Sequence, residues 1–93
     1  MSAKTVKKVK VTNRLGLHAR PAMLLAETAQ QFSAEITLRR TDQSDPVDAK
    51  SIMQIMMLAA TAGTELEITA KGEGAQDAVR QLTALVKAGF NEN

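Results

Sequence analysis

The chain has 93 residues, 44% hydrophobic and 24% charged, enough apolar side chains for one compact core and enough charge for a soluble surface. At this length there is no room for a second core or a large enclosed chamber, so a single domain spanning residues 1–93 is expected, with its chemistry near the surface. The absence of cysteine excludes a disulfide framework, a thiolate zinc site and a thiol nucleophile, and His18 as the lone histidine argues against a metal centre.

The longest apolar run, Ile55 to Ala60, is far short of the roughly 20 residues of a membrane-spanning helix. The start, Met1 to Lys10, carries Lys4, Lys7, Lys8 and Lys10 but no secretory hydrophobic region, and Ser2 is not a myristoylatable glycine. A cytoplasmic, non-membrane protein is the expectation. A net charge of +2 is too mild to imply nucleic acid, and with Phe32 and Phe90 as the only aromatics the stacking platforms of single-strand binders are missing. A small nucleic-acid-binding module remains only as a remote alternative, resting on the N-terminal lysines.

In chain order, Val9 and Val11 alternate with Lys8 and Lys10 as in a half-buried strand beginning near Val6. After the break at Asn13-Arg14-Leu15-Gly16, Pro21 sits in the first turn of a helix that begins near residue 19 and ends near Phe32-Ser33. Its apolar stripe is Ala22, Leu25, Ala26, Ala29 and Phe32. Ala34, Ile36 and Leu38 give a second strand, and Pro46 leaves only a short third one about Val47 and Asp48. Ser51 to Ala60 reads as a short helix capped by Ser51 and closed by Gly63. Leu66, Ile68 and Ala70 mark the last strand. Ala75, Ala78, Val79, Leu82, Leu85 and Val86 mark the last helix, which Lys87 and Gly89 finish. The fold class is α+β: a two-layer open-faced sandwich of order βαββαβα, with a four-stranded antiparallel sheet covered on one side by three helices.

The segment Gly16-Leu17-His18-Ala19-Arg20-Pro21-Ala22 places the only imidazole before a helix whose first amides, from Ala19 and Arg20, have no partners within the helix. Such a helix start favours an anion, and the Arg20 guanidinium adds fork-shaped donors for a phosphoryl group. The same positive field disfavours a charged ring, and a neutral ring keeps the lone pair that a phosphoryl acceptor needs. Gly16 frees the loop backbone and leaves space for an approaching donor. Taken alone, the local chemistry is equally compatible with a histidine that caps the helix or sits in solvent.

This segment closely resembles the phosphohistidine motif of the HPr family, the phosphocarriers of the bacterial phosphoenolpyruvate-dependent phosphotransferase system. Length, element order and the Lys50-Ser51-Ile52-Met53 segment opening the second helix resemble that family over the whole chain. The resemblance implies a carrier without turnover or cofactor: His18 accepts a phosphoryl group at Nδ1 from phosphorylated enzyme I and passes it to a IIA component for sugar uptake. Arg20 balances the phosphoryl charge, and Gly16, Leu17 and Pro21 support the loop. The paralogous nitrogen-related branch, which feeds regulatory IIA proteins, is the alternative within the family.

Methionine-rich apolar residues exceed what so short a second helix can bury. Ile55 and Leu58 are assigned to the core, and Ile52, Met53 and Met56 to an exposed partner-docking patch. By resemblance these three match the surface that packs on enzyme I and IIA domains, and Ser51 matches the serine modified by HPr kinase/phosphorylase. A phosphate there would put negative charge beside the patch. A monomer is expected. The tail Gly89-Phe90-Asn91-Glu92-Asn93 runs past the last helix, which puts in doubt any part for a chain-terminal carboxylate near the site.

Overall fold

A computed structural model describes residues 3–92. The elements run β1 (Lys4–Lys10), α1 (Ala19–Gln30), β2 (Glu35–Arg40), β3 (Val47–Asp48), α2 (Ile52–Met57), β4 (Glu65–Lys71) and α3 (Ala75–Lys87), followed by a 3₁₀ turn at Gly89–Asn91. All strand pairs are antiparallel and the sheet order is β1-β4-β2-β3. The architecture is the open-faced sandwich expected.

Period-two alternation sets the register. Val9, Leu66 and Arg40 lie in one row across the sheet, Lys7, Ile68 and Leu38 in the next, and Thr5, Ala70 and Ile36 in the third. Leu66, Ile68, Ala70, Leu38 and Ile36 are buried on this inner face beneath the helices. The opposite face carries Lys8, Glu67 and Arg39 side by side, with Arg39 and Glu67 paired at 3.2 Å. One face seals the core and the other presents alternating charge to water.

The helices bury the stripes that their sequences dictate. On α1 these are Ala22, Leu25, Ala26 and Ala29, with Pro21 also buried; on α3 they are Ala75, Ala78, Val79, Leu82 and Val86, joined by Thr83. Asp77 in the first turn of α3 and Lys87 in its last complement the helix dipole.

The second helix departs from expectation. It stops at Met57 instead of running to Ala60, because Ala59 turns into the left-handed region at φ 51°. The end is held from outside the helix. Arg40 Nη1 donates to the carbonyls of Leu58 and Ala59 at 3.1 and 3.3 Å, and Leu17 N donates to Ala60 O at 2.9 Å. Those bonds tie the chain beyond the break at Ala59 to the sheet and to the loop before α1, so Gly63 shapes the following turn and not the helix terminus.

Candidate functional site

The loop from β1 to α1 is closed at both ends by Asn13. Its carbonyl accepts from Gly16 N at 3.1 Å, and its side-chain amide donates to Gly16 O at 2.8 Å. Gly16 is left-handed at φ 67°, and a β-carbon there would collide with Ala60 O and press on Thr61 Cα. This corrects one expectation: the glycine makes room for the chain after α2, not for an incoming donor. Leu17, buried beside it, anchors the loop to Ala60, so the end of α2 and the start of α1 are fixed against each other.

His18 follows as the N-cap residue of α1, extended at φ −74° and ψ −171°. Its carbonyl accepts the first helical bond, from Ala22 N at 3.0 Å. Its ring makes no capping bond, and its side chain is 35% exposed, so the bland reading of a histidine that merely caps the helix does not apply. Ala19 and Arg20 donate to no backbone carbonyl among the described residues, and Pro21 has no N–H to offer. Arg20 is exposed and pairs with no carboxylate among the described residues, which leaves its charge available at the helix start.

The structure adds a group that sequence reasoning missed. The Glu92 carboxylate approaches His18 Nε2 with its two oxygens at 2.9 and 3.1 Å, and Asn13 Nδ2 donates to one of them at 3.0 Å. Hydrogen bonding to the His18 ring, opposed by desolvation and reinforced by the Asn13 amide and the charge of Arg20, holds the Glu92 carboxyl below the usual carboxylate range. The carboxylate belongs to a side chain, not to the end of the chain; Asn93 lies outside the described residues.

Ile55 and Leu58 are buried and Ile52, Met53 and Met56 exposed, as assigned from sequence. The exposed apolar set is wider than expected. It includes Met57, which like Met53 is 76% exposed, Leu15 at 65% in the site loop, and Met23 on α1. Met23 falls off the buried stripe of α1, a periodicity signal that marked it as outward-facing.

Lys50 ties the start of α2 to the far end of α1, its ammonium donating to Phe32 O at 2.7 Å, and the chain after α2 returns to Leu17. The apolar face of α2 therefore leads from Ser51 back toward the His18 end of α1. Ser51 is the N-cap of α2, its hydroxyl accepting from Gln54 N at 3.2 Å.

A half-exposed imidazole at a helix start rich in free donors, flanked by a guanidinium and bordered by an apolar surface, is the layout of a site that takes up an anionic group from a docked protein. The family model described as the phosphotransferase-system HPr component phosphorylation site matches residues 5–88. The chain is 41% identical over 90 residues to phosphocarrier protein NPr of Escherichia coli strain K12, covering 96% of this chain and 99% of that one. It is 40% identical over 84 residues to phosphocarrier protein HPr of Neisseria meningitidis serogroup A, covering 90% and 92%. The crystal structure of HPr-C-His from Thermoanaerobacter tengcongensis superposes with a TM-score of 0.88 at 35% identity, covering 96% of this chain and 98% of that one. This chain belongs to the HPr family of phosphotransferase-system phosphocarriers.

Proposed function

We propose that His18 accepts a phosphoryl group at Nδ1 from phosphorylated enzyme I and delivers it to a IIA component, with residues 1–93 acting as one cytoplasmic carrier domain. The observation that carries this reading is the ring itself: it is accessible, free of any capping bond, and set at the helix start whose Ala19 and Arg20 amides have no backbone partner among the described residues. An incoming phosphoryl group bears negative charge that those amides, the helix dipole and the Arg20 guanidinium stabilise. The amides and the dipole are fixed by the helix before the bond forms, so their share of the stabilisation is preorganised at the transition state as well as in the phosphorylated carrier. Ile52, Met53 and Met56 form the docking surface. Phosphorylation of Ser51 by a kinase of the HPr kinase/phosphorylase type would place charge beside that surface and weaken docking.

The Lys50-Ser51-Ile52-Met53 segment supports delivery to sugar-specific IIA components. A second reading, the nitrogen-related branch feeding regulatory IIA proteins, is favoured by the similarity to phosphocarrier protein NPr, which takes in 96% of this chain and 99% of that relative. Incubation with phosphoenolpyruvate and enzyme I should add one acid-labile phosphate, and His18→Ala should abolish it. Undiminished labelling of the variant refutes the assignment. Chasing the labelled carrier with sugar-specific and regulatory IIA proteins separates the branches by which one drains the phosphate faster.

A further inference from the structure

Glu92 reaches His18 by a route that the chain does not take at random. After α3, three consecutive residues are left-handed: Gly89, Phe90 and Asn91, at φ 61°, 57° and 58°. Asparagine tolerates that conformation, but it is costly for a bulky residue such as Phe90, so Phe90 holds it only because something else fixes it. The Phe90 ring is buried in the core at 3% exposure, and Gly89 rests on Thr12 and Asn13. Glu92 N then donates back to Gly89 O at 2.9 Å, which closes the turn and swings the carboxylate over the ring.

The partner on the other side is equally constrained. Asn13 is buried, and its single amide nitrogen serves both Gly16 O and Glu92 Oε1. The side chain that closes the loop before His18 is therefore the one that holds the carboxylate in place.

An ionised carboxylate only accepts hydrogen bonds. Both of its oxygens lie within hydrogen-bonding distance of Nε2, so Nε2 must carry the proton, and the lone pair of the neutral ring is left on Nδ1. We propose that Glu92 is a positioning residue for phosphoryl acceptance, holding the His18 ring as the Nε2–H tautomer and balancing the positive charge that the ring gains when Nδ1 bonds to phosphorus. This rests on the reading of His18 as the acceptor.

The step balances without an additional reactant. The Nδ1 lone pair attacks the phosphorus held by the phosphorylated donor protein, and the new N–P bond forms as the donor's own bond to phosphorus breaks and its electron pair returns to the donor. No proton leaves Nε2. The phosphorylated ring is then formally cationic, and its remaining N–H points at Glu92. Delivery to the acceptor protein returns the electron pair to Nδ1 and restores the starting tautomer. Glu92 meets the positive charge of the ring at Nε2, and the Arg20 guanidinium, two residues beyond His18, supplies positive charge for the phosphoryl group, so each charge of the zwitterionic phosphorylated ring has an opposite one in the site.

The test uses full-length protein labelled with ¹⁵N, wild type and Glu92→Ala, with ring-nitrogen resonances read at a pH where the imidazole is neutral. The wild type should show the Nε2–H tautomer and the variant a mixture. With enzyme I and phosphoenolpyruvate, Glu92→Ala should lower the maximal phosphorylation rate about ten-fold, the scale on which orienting partners of a reactive histidine act, while KM for the carrier stays unchanged. A variant with wild-type tautomer populations, or with the wild-type maximal rate, overturns the proposal. A wild-type protein that takes up no phosphate overturns the carrier reading instead, and the tautomer comparison still reports on Glu92.

Discussion

Replacing Gly16 by alanine tests how the site loop is built. Alanine at φ 67° incurs the left-handed penalty of about 1–2 kcal/mol. Its β-carbon also collides with Ala60 O, a backbone atom that can retreat only by loosening the 2.9 Å bond from Leu17 N, a further loss of about 1 kcal/mol. The expected destabilisation is about 2–3 kcal/mol, or a fall in Tm of about 10–20 °C for a domain of this size. Gly63→Ala supplies the control. Gly63 is also left-handed, at φ 93°, but a β-carbon there meets nothing within 4 Å, so the backbone penalty acts alone. Urea unfolding of both variants therefore separates strain from collision. Because His18 is two residues beyond Gly16, Gly16→Ala should also slow phosphorylation under conditions where it is fully folded, and Gly63→Ala should not. Equal stability of Gly16→Ala and wild type, within about 0.5 kcal/mol, or equal losses in the two variants, would refute the close approach to Ala60 as the reason for glycine.

Met53→Glu should raise KM for enzyme I by about ten-fold, since it sets a charge in the middle of the apolar face of α2. Its 76% exposure predicts a stability change within about 0.5 kcal/mol, and an unchanged KM would place docking elsewhere. The Glu92 contact predicts an acid-sensitive contribution to stability. Its carboxyl titrates below the usual range in the folded chain and within that range when unfolded, so the unfolded state binds the proton first as pH falls. The contribution is full above the ordinary carboxylate range and is lost as pH drops through the depressed folded value. In urea unfolding, the margin of wild type over Glu92→Gln should accordingly shrink below about pH 4. A margin that does not change with pH contradicts the contact.

Most of the architecture was legible because it follows from local periodicity. Alternation at Ile36 and Leu38 and at Leu66, Ile68 and Ala70 defines two strands and the face each buries, and the stripes on α1 and α3 define which sides of those helices meet the sheet. The two-residue β3 follows from Pro46. The C-terminal end of α2 was not legible, since the run from Ile55 to Ala60 favours a longer helix on its own. The chain leaves the helix at Ala59, and the carbonyls of Leu58, Ala59 and Ala60 beyond it are held by Arg40 and Leu17, which are remote in sequence. The docking residues were partly legible. Ile52, Met53 and Met56 were set apart by arguing that a short helix cannot bury everything it carries, and the same argument applies to Met57.

The site divides along the same line. His18, Arg20 and the free amides at the start of α1 lie within three consecutive residues, so their chemistry can be read from spacing alone. Glu92 lies 74 positions from His18, among polar neighbours that read as a solvated tail. The local signal was Phe90, an aromatic set between a glycine and polar residues, whose ring has to be buried somewhere. Once that ring enters the core, the turn at Gly89–Asn91 brings the next side chain, Glu92, to the Asn13 amide and the His18 ring. The tail thus gains its place from one hydrophobic anchor and its chemical effect from one hydrogen-bonded carboxylate. A Phe90→Ala chain that retains Glu92 should therefore lose the ring contact as Glu92→Ala does, and combining the two changes should shift the tautomer no further than Glu92→Ala alone, since the anchor acts through the carboxylate.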